Sequence, residues 1–350
     1  MVLVALVMVA LLGMVAFAVD AGALYQERRE LQNGADAAVL AIAADCATGV
    51  GTCDTPTAEA TAQQYADANA GDNAADIDFL DLDSDAQTIE VITETETSDG
   101  GTVFKPFFAQ VIGFDGATVR ARAKAIWGAV AGANDIPLTV SWCEMQNIDL
   151  DGIPTGPPPD GPGPDGPGTY EQWKTAYGGD GPATDGFTFL FHDGNTTEGC
   201  NGPAGQDLPG GFGWLEQAEV GCTATTGDLE DDWYEADPGA DAPNPECPAD
   251  TVADYLETVV IVPVFEELHQ PPDYNVKEYH IEGYVALYLT GYKFSGSPAW
   301  TQSKTGEDPC SGSTRCIQGY PTTATCFGDC PVDPDGGGTD YGVLAIALDE

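Results

Sequence analysis

The sequence predicts an α+β protein: a long amino-terminal helix that starts as a membrane span and continues as a stalk, a small α+β domain, and a disulfide-braced β-rich domain. Three observations predict it. Residues 1–19 contain no charged or strongly polar side chain. The run then passes into a charged, helically patterned segment, "GMVAFAVDAGALYQERRELQNGADAA", with no Pro and no turn cluster between the two. Beyond residue 131, short apolar or aromatic runs alternate with Gly, Pro and Asp clusters, the mark of short strands and turns.

The span comes first. At 1.5 Å per residue, a helix over Met1–Val19 is about 28 Å long, close to the roughly 30 Å hydrocarbon core of a bilayer. Ala16-Phe17-Ala18 also fits a small-x-small cleavage site, but no basic region precedes the apolar run as it does in a secretory signal. Retention as an anchor is therefore expected. The nearest cations, Arg28 and Arg29, follow the span, and the positive-inside rule alone would hold the bulk of the chain in the cytoplasm. Cysteine usage points the other way, and a short basic leader ahead of Met1 would reconcile the two.

The stalk spans residues 20–45. Leu24, Leu31, Ala35, Ala38, Val39 and Ile42 recur at helical intervals, while Glu27, Arg28, Glu30 and Asp36 fall on other faces. Gly22 and Gly34 each weaken the helix by about 1 kcal/mol relative to Ala, so either is a place for a bend.

Residues 46–130 read as a small α+β domain. "PTAEATAQQYADANA" (56–70) places Ala58, Ala62, Tyr65 and Ala66 on one helical face. Two strands follow. In "QTIEVITETET" Glu90, Glu94 and Glu96 share one parity, and in "TVRARAKAIW" Arg120, Arg122 and Lys124 share one face. Cross-strand pairing of these charges is one expectation, and a basic patch facing an acidic neighbouring subunit is the other. "GAVAGAND" (128–135) reads as a hinge.

Residues 131–350 form the β-rich domain, with strands expected at "PLTVSW", "FTFLF", "TVVIVPVF", "EGYVALYLTGYKF" and "YGVLAIAL". Pro263 within the third indicates a bulge or an edge position. "GIPTGPPPDGPGPDGPG" (152–168) is a low-complexity Pro/Gly insertion.

Charge and cysteine limit the function classes. Eleven Lys and Arg stand against 57 Asp and Glu, a formal net charge of −46, which rules against nucleic acid as a partner. Such acidity gives a self-repelling surface suited to salty water, or a surface that gathers divalent cations. The ten cysteines, Cys46, Cys53, Cys143, Cys200, Cys222, Cys247, Cys310, Cys316, Cys326 and Cys330, are not arranged as CxxC pairs and read as disulfides of an oxidising compartment. Loop closure favours Cys46 with Cys53, and less strongly Cys222 with Cys247. Cys310 with Cys316 and Cys326 with Cys330 are open by the same logic, though the last has a tight three-residue gap.

Asn147, Asp149 and Asp151, followed by Gly152, match the first half of a calcium loop, but Pro158 stands where a bidentate Glu should. They are the candidate metal ligands, with an Asx-rich turn as the other reading; calcium is the one cofactor to consider. His192, His269 and His280 lack HExxH spacing, and His280 alternates as a strand residue. No GxSxG, P-loop or dinucleotide-binding glycine string occurs, so no catalytic residue is assigned and an enzyme is not expected.

The ordered string "LLGMVAFAVDAGALYQERRELQNGADAAVLA" resembles the amino-terminal signature of TadE/TadG-like proteins of the tight-adherence (Flp-type) pilus system: apolar run, Val-Asp-x-Gly, Tyr, an Arg-rich turn, then Leu-Gln-Asn-x-Ala-Asp-Ala-Ala. "PLTVSWCE", "FGWLE", "VVIVPVFEE", "YHIEGYVALYLTGYKFSG" and "RCIQGY" are similar to the extracellular portion of TadG-like members from high-GC Gram-positive bacteria. The resemblance implies a pilin-like, envelope-associated protein without catalytic residues. Its partners would be other pilin-like subunits, met through Val7, Leu11, Met14, Asp20, Leu24 and Leu31 of the amino-terminal helix, together with the membrane and host or surface ligands. Two departures stand out: no basic leader precedes the run, and Ala5 occupies the place of the Glu common in major type IV pilins. Asp20 is then either a residue at the water interface or a registration contact inside a filament.

Two classes of function follow. In one, the chain is a membrane-anchored structural or accessory pilus component that displays an acidic extracellular domain for surface attachment. In the other, it remains a monomeric single-pass cell-surface protein binding calcium or glycan.

Overall fold

The computed structural model describes residues 2–49, 51–97, 100–145, 187–190, 211–215, 222–226, 233–237, 252–256, 258–269, 277–294, 297–300, 315–328, 330–332 and 339–349. The chain forms two compact units, one made of residues 1–127 and 346–350 and the other of residues 128–345.

Unit 1 is built on helix α1 (Val2–Thr48), 47 residues that would extend about 70 Å at 1.5 Å per residue. It does not break at Gly22 or Gly34, because each costs only about 1 kcal/mol and the flanking turns are strong helix formers. A disulfide between Cys46 and Cys53 closes the turn into helix α2 (Thr55–Asn69). Asp54 caps α2 by accepting from Thr57 N at 2.9 Å, and Pro56 sits in its first turn where no N–H is needed. Ala58, Ala62 and Ala66 are buried against α1, whereas Tyr65, placed on the same face by its spacing, is exposed. Small residues let the two helices approach closely: an added Cβ at Gly34 would lie 3.1 Å from the Ala66 Cα.

Both helices cover one face of an antiparallel sheet of β1 (Ala75–Asp83), β2 (Thr88–Thr95) and β3 (Arg120–Ala129). Leu31, Ala35, Ala38, Val39 and Ile42 of α1 are buried together with Ile89, Val91, Ala121, Ala123 and Ala125. The buried Thr93 hydroxyl donates to the Leu31 carbonyl at 3.0 Å. The opposite face carries the charges. Arg120 bridges Glu94 at 2.8 Å and Asp78 at 3.0 Å, Arg122 pairs diagonally with Glu90, and Lys124 meets Asp349 at 2.6 Å. That last contact belongs to the chain's return. Strand β16 (Val343–Leu348) adds its final residues beside β3, and Asp349 N donates to the Lys124 carbonyl at 2.8 Å.

Unit 2 is β-rich. Its spine is β11 (Lys277–Phe294), eighteen residues long. One edge of β11 pairs in turn with β9 (Trp233–Asp237), β15 (Thr339–Tyr341) and β13 (Cys316–Thr322); the other pairs with β10 (Val259–His269) and β12 (Ser297–Trp300). Strands β5 (Leu138–Ser141) and β7 (Phe212–Leu215) join β10 back to β9, so that β10, β5, β7, β9 and β11 close a ring. Strand β6 (Phe187–Leu190) lies outside β13, and β4 (Ala133–Asp135) pairs with β8 (Ala224–Thr226). Strand β14 is Ala324–Phe327.

Pro263 is not on an edge. Strand β10 is flanked by β5 and β11, and the register shifts just past Pro263, between Val264 and Phe265, so the bulge accommodates the missing N–H. The core combines Val262, Val285 and Leu287 with Phe212, Trp214 and Phe294, whose rings meet edge-on at centroid separations of 5.1–6.1 Å. A second disulfide, Cys326–Cys330, spans the tight gap with its Cα atoms 5.9 Å apart, inside the normal range. Among the described residues there is no free cysteine.

Candidate functional site

The feature that distinguishes this chain is the way α1 changes environment along its length. Leu3, Val4, Val7, Met8, Leu11, Leu12, Met14, Val15 and Phe17 are all exposed, so the first five turns present apolar side chains in every direction. A helix apolar all round and uncovered by its own protein needs lipid or other helices as surroundings. Among the described residues α1 is the one helix long and apolar enough to cross a membrane. From Leu31 onward the same helix is a core element of unit 1.

Asp20 stands at the changeover. Asp20 is 7% exposed, although its chain neighbours Ala18, Val19, Ala21 and Gly22 are exposed. It accepts from Phe108 N, 3.1 Å from both of its oxygens, and from Ala109 N at 2.7 Å. These donors open a single 3-10 turn, Ala109–Ile112, in the long connection between β2 and β3. Asp20 therefore binds its own chain, in a clamp absent from both sequence readings of that residue. The signal was unreadable because its partners lie 88 and 89 residues away.

Lower on the stalk, Glu30 accepts from Gly71 N at 2.8 Å and ties α1 to the end of α2. Burial pushes the Glu27 carboxyl above its ordinary value, a Thr95 hydrogen bond acts against that shift, and nearby Asp72 and Glu30 reinforce it.

The predicted assembly positions separate into two groups. Val7, Leu11 and Met14 are exposed on the apolar part of α1, and Leu24 is half-buried. Leu31, at 2% exposure, lies inside unit 1, leaving nothing of its side chain for a neighbour. The calcium candidates Asn147, Asp149 and Asp151 lie outside the described residues, as do Cys200, Cys247, Cys310, His192 and the 152–168 insertion. Cys143, Cys222 and Cys316 are each disulfide-bonded.

In unit 2 the two described histidines flank one indole: Trp233 lies 5.2 Å, centroid to centroid, from both His269 and His280. His280 Nδ1 is 3.1 Å from Glu266 Oε1, and the Tyr341 hydroxyl donates to Glu282 at 2.7 Å. Burial raises the Glu266 carboxyl above its usual range, with Glu282 adding to it and His280 opposing it. Each imidazole or carboxylate here has an internal partner. Among the described residues no cluster of three or more His, Cys, Asp or Glu side chains has a metal-holding arrangement.

Residues 1–45 match the model of the Tad family, described as "Putative Flp pilus-assembly TadE/G-like". Neither a curated protein nor a solved structure matches the chain. The matched segment is α1 from its apolar start through Asp20 to the positions buried in unit 1, so the likeness covers the change of environment itself. Over that segment the chain is similar to the TadE/G-like proteins of Tad pilus assembly.

Proposed function

We propose that the chain is a membrane-anchored, pilin-like structural or accessory component of a tight-adherence-type pilus, and that its acidic unit 2 faces outward for surface attachment. One observation carries this reading. Helix α1 is a single unbroken rod, apolar and uncovered over its first five turns and locked into a folded unit beyond Leu31. Such a rod rests in a bilayer and can exchange lipid for sister rods without any refolding of the part it supports. The exposed Val7, Leu11 and Met14 supply the contact stripe. The family match to residues 1–45 supports a structural role over an enzymatic one.

Shearing cells and probing the released filaments for the chain tests the proposal. Recovery with the filaments is the expected result. Retention in the membrane fraction, with calcium-dependent binding of a glycan or other ligand, would replace it with the monomeric surface binder.

A further inference from the structure

The connection between β2 and β3 is built inside out. Its backbone is satisfied inward: Phe104 and Ala117 exchange two hydrogen bonds of 3.0 and 3.1 Å, the Thr118 hydroxyl donates to the Thr102 carbonyl at 2.8 Å, and Asp20 takes the N–H groups of Phe108 and Ala109. Gly116 permits the closure. It has φ +130°, and a Cβ there would lie 2.3 Å from the Phe104 carbonyl oxygen. The apolar side chains point the other way. Phe107 is 78% exposed and Val111 86%, with Val103, Phe108 and Phe114 also exposed. A loop that orders its backbone this fully gains nothing for its own fold by presenting three phenylalanines to water.

We propose that this loop is a second membrane contact, in which Phe107, Phe108, Val111 and Phe114 enter the lipid interface beside the end of the α1 span. Position argues for lipid as the occupant. Asp20 is the first charged residue after the apolar run of residues 1–19, and it is also the residue that holds the loop. Asp20 therefore holds the loop that carries the exposed rings beside the end of the apolar run, the level at which α1 would leave a bilayer. Charge argues the same way. Residues 103–117 carry only Lys105 and Asp115, in a chain of net charge −46, so the loop is a neutral window in an acidic surface that phospholipid headgroups would otherwise repel. Exposed Lys105 is placed to reach a headgroup phosphate while the rings insert. The contact is apolar in origin and persists at high salt.

This inference rests on the proposed anchoring by α1, and its test separates the two. The full chain is reconstituted in phosphatidylethanolamine–phosphatidylglycerol vesicles with p-benzoylphenylalanine placed singly at Phe107, Val15 or Tyr65, irradiated, and analysed for lipid and protein adducts by mass. Val15 reports the span, and exposed Tyr65 on α2 reports a water-facing surface of unit 1. Lipid adducts at Phe107 comparable to those at Val15, and roughly tenfold above those at Tyr65, are expected for side chains in the acyl boundary as against water. Adducts at Val15 with none at Phe107 overturn the loop contact and leave the anchor standing. A Phe107 cross-link to a second copy of the chain also overturns it, making the loop a subunit interface. No lipid adduct at either position removes the anchor, and the loop contact with it.

Discussion

Replacing Asp20 by Ala deletes the one acceptor that Phe108 N and Ala109 N have among the described residues. Hydrogen bonds to a charged group contribute about 1.5–3 kcal/mol each. The loss cannot reach the full sum of two, because the loop can open and let water satisfy both donors. Local opening of residues 104–114 should therefore become easier by about 2–3 kcal/mol. At tenfold per 1.4 kcal/mol, amide protection there falls roughly 30- to 140-fold. Hydrogen exchange read by mass spectrometry, on protein in a bilayer mimic, measures this peptide by peptide. Asp20→Asn retains one carbonyl acceptor without the charge and should fall between the two. Loop protection in Asp20→Ala equal to that of the unaltered chain would refute the clamp. Equal losses across β1, β2 and β3 would show instead that Asp20 supports the whole unit.

Gly22→Ala, at a site with open space around it, should raise helix stability by about 1 kcal/mol, whereas the same change at Gly34 sets a Cβ 3.1 Å from Ala66 and loses that gain; Gly34→Leu should cost about 1–3 kcal/mol through overpacking, all visible in thermal melts followed by circular dichroism. Arg120→Met strips the buried Glu94 of its cation and should lower unit 1 stability by about 1–3 kcal/mol in denaturant titration, while Arg122→Met, at an exposed pair, should change it much less. Because the Glu27 carboxyl is raised in the folded state, its contribution to stability is fully present below its ordinary value and is lost as pH rises through the raised one. Glu27→Gln should thus melt higher than the unaltered chain at pH 7, and the difference should shrink towards pH 4; a constant difference across that range would contradict the assignment.

The helices were legible because their burial follows local spacing. Ala58, Ala62 and Ala66 on α2, and Leu31, Ala35, Ala38, Val39 and Ile42 on α1, lie at helical intervals and are all buried. Tyr65 shares the spacing but not the burial, since a face of small residues admits close helix packing and excludes a ring at its margin. Strand β1 went unread because "ADIDFLDLD" loses its alternation at a register shift between Ile77 and Phe79, which moves the apolar parity across the bulge. The charge ladder was visible as parity within each strand, but not its partners: Arg122 reaches Glu90 diagonally, and Lys124 finds Asp349, 225 residues away. "YGVLAIAL" read as a strand of the second domain, yet its end belongs to unit 1. Asp20 is the same case, since spacing reports what a residue's neighbours in sequence do and says nothing of a loop almost ninety positions further on.

Unit 1 draws its last strand residues from Ile346–Glu350, so it cannot be finished early in synthesis. While Gly128–Ala345 is being made, at roughly 5–20 residues per second, the outer edge of β3 stays bare for on the order of ten to forty seconds. A bare strand edge is a template for pairing with the wrong chain. During that interval Lys124 also lacks Asp349. The nascent chain is thus most prone to misassociation just when α1 is already made and able to enter a bilayer, and early tethering there would keep sister chains from colliding freely until residues 346–350 arrive.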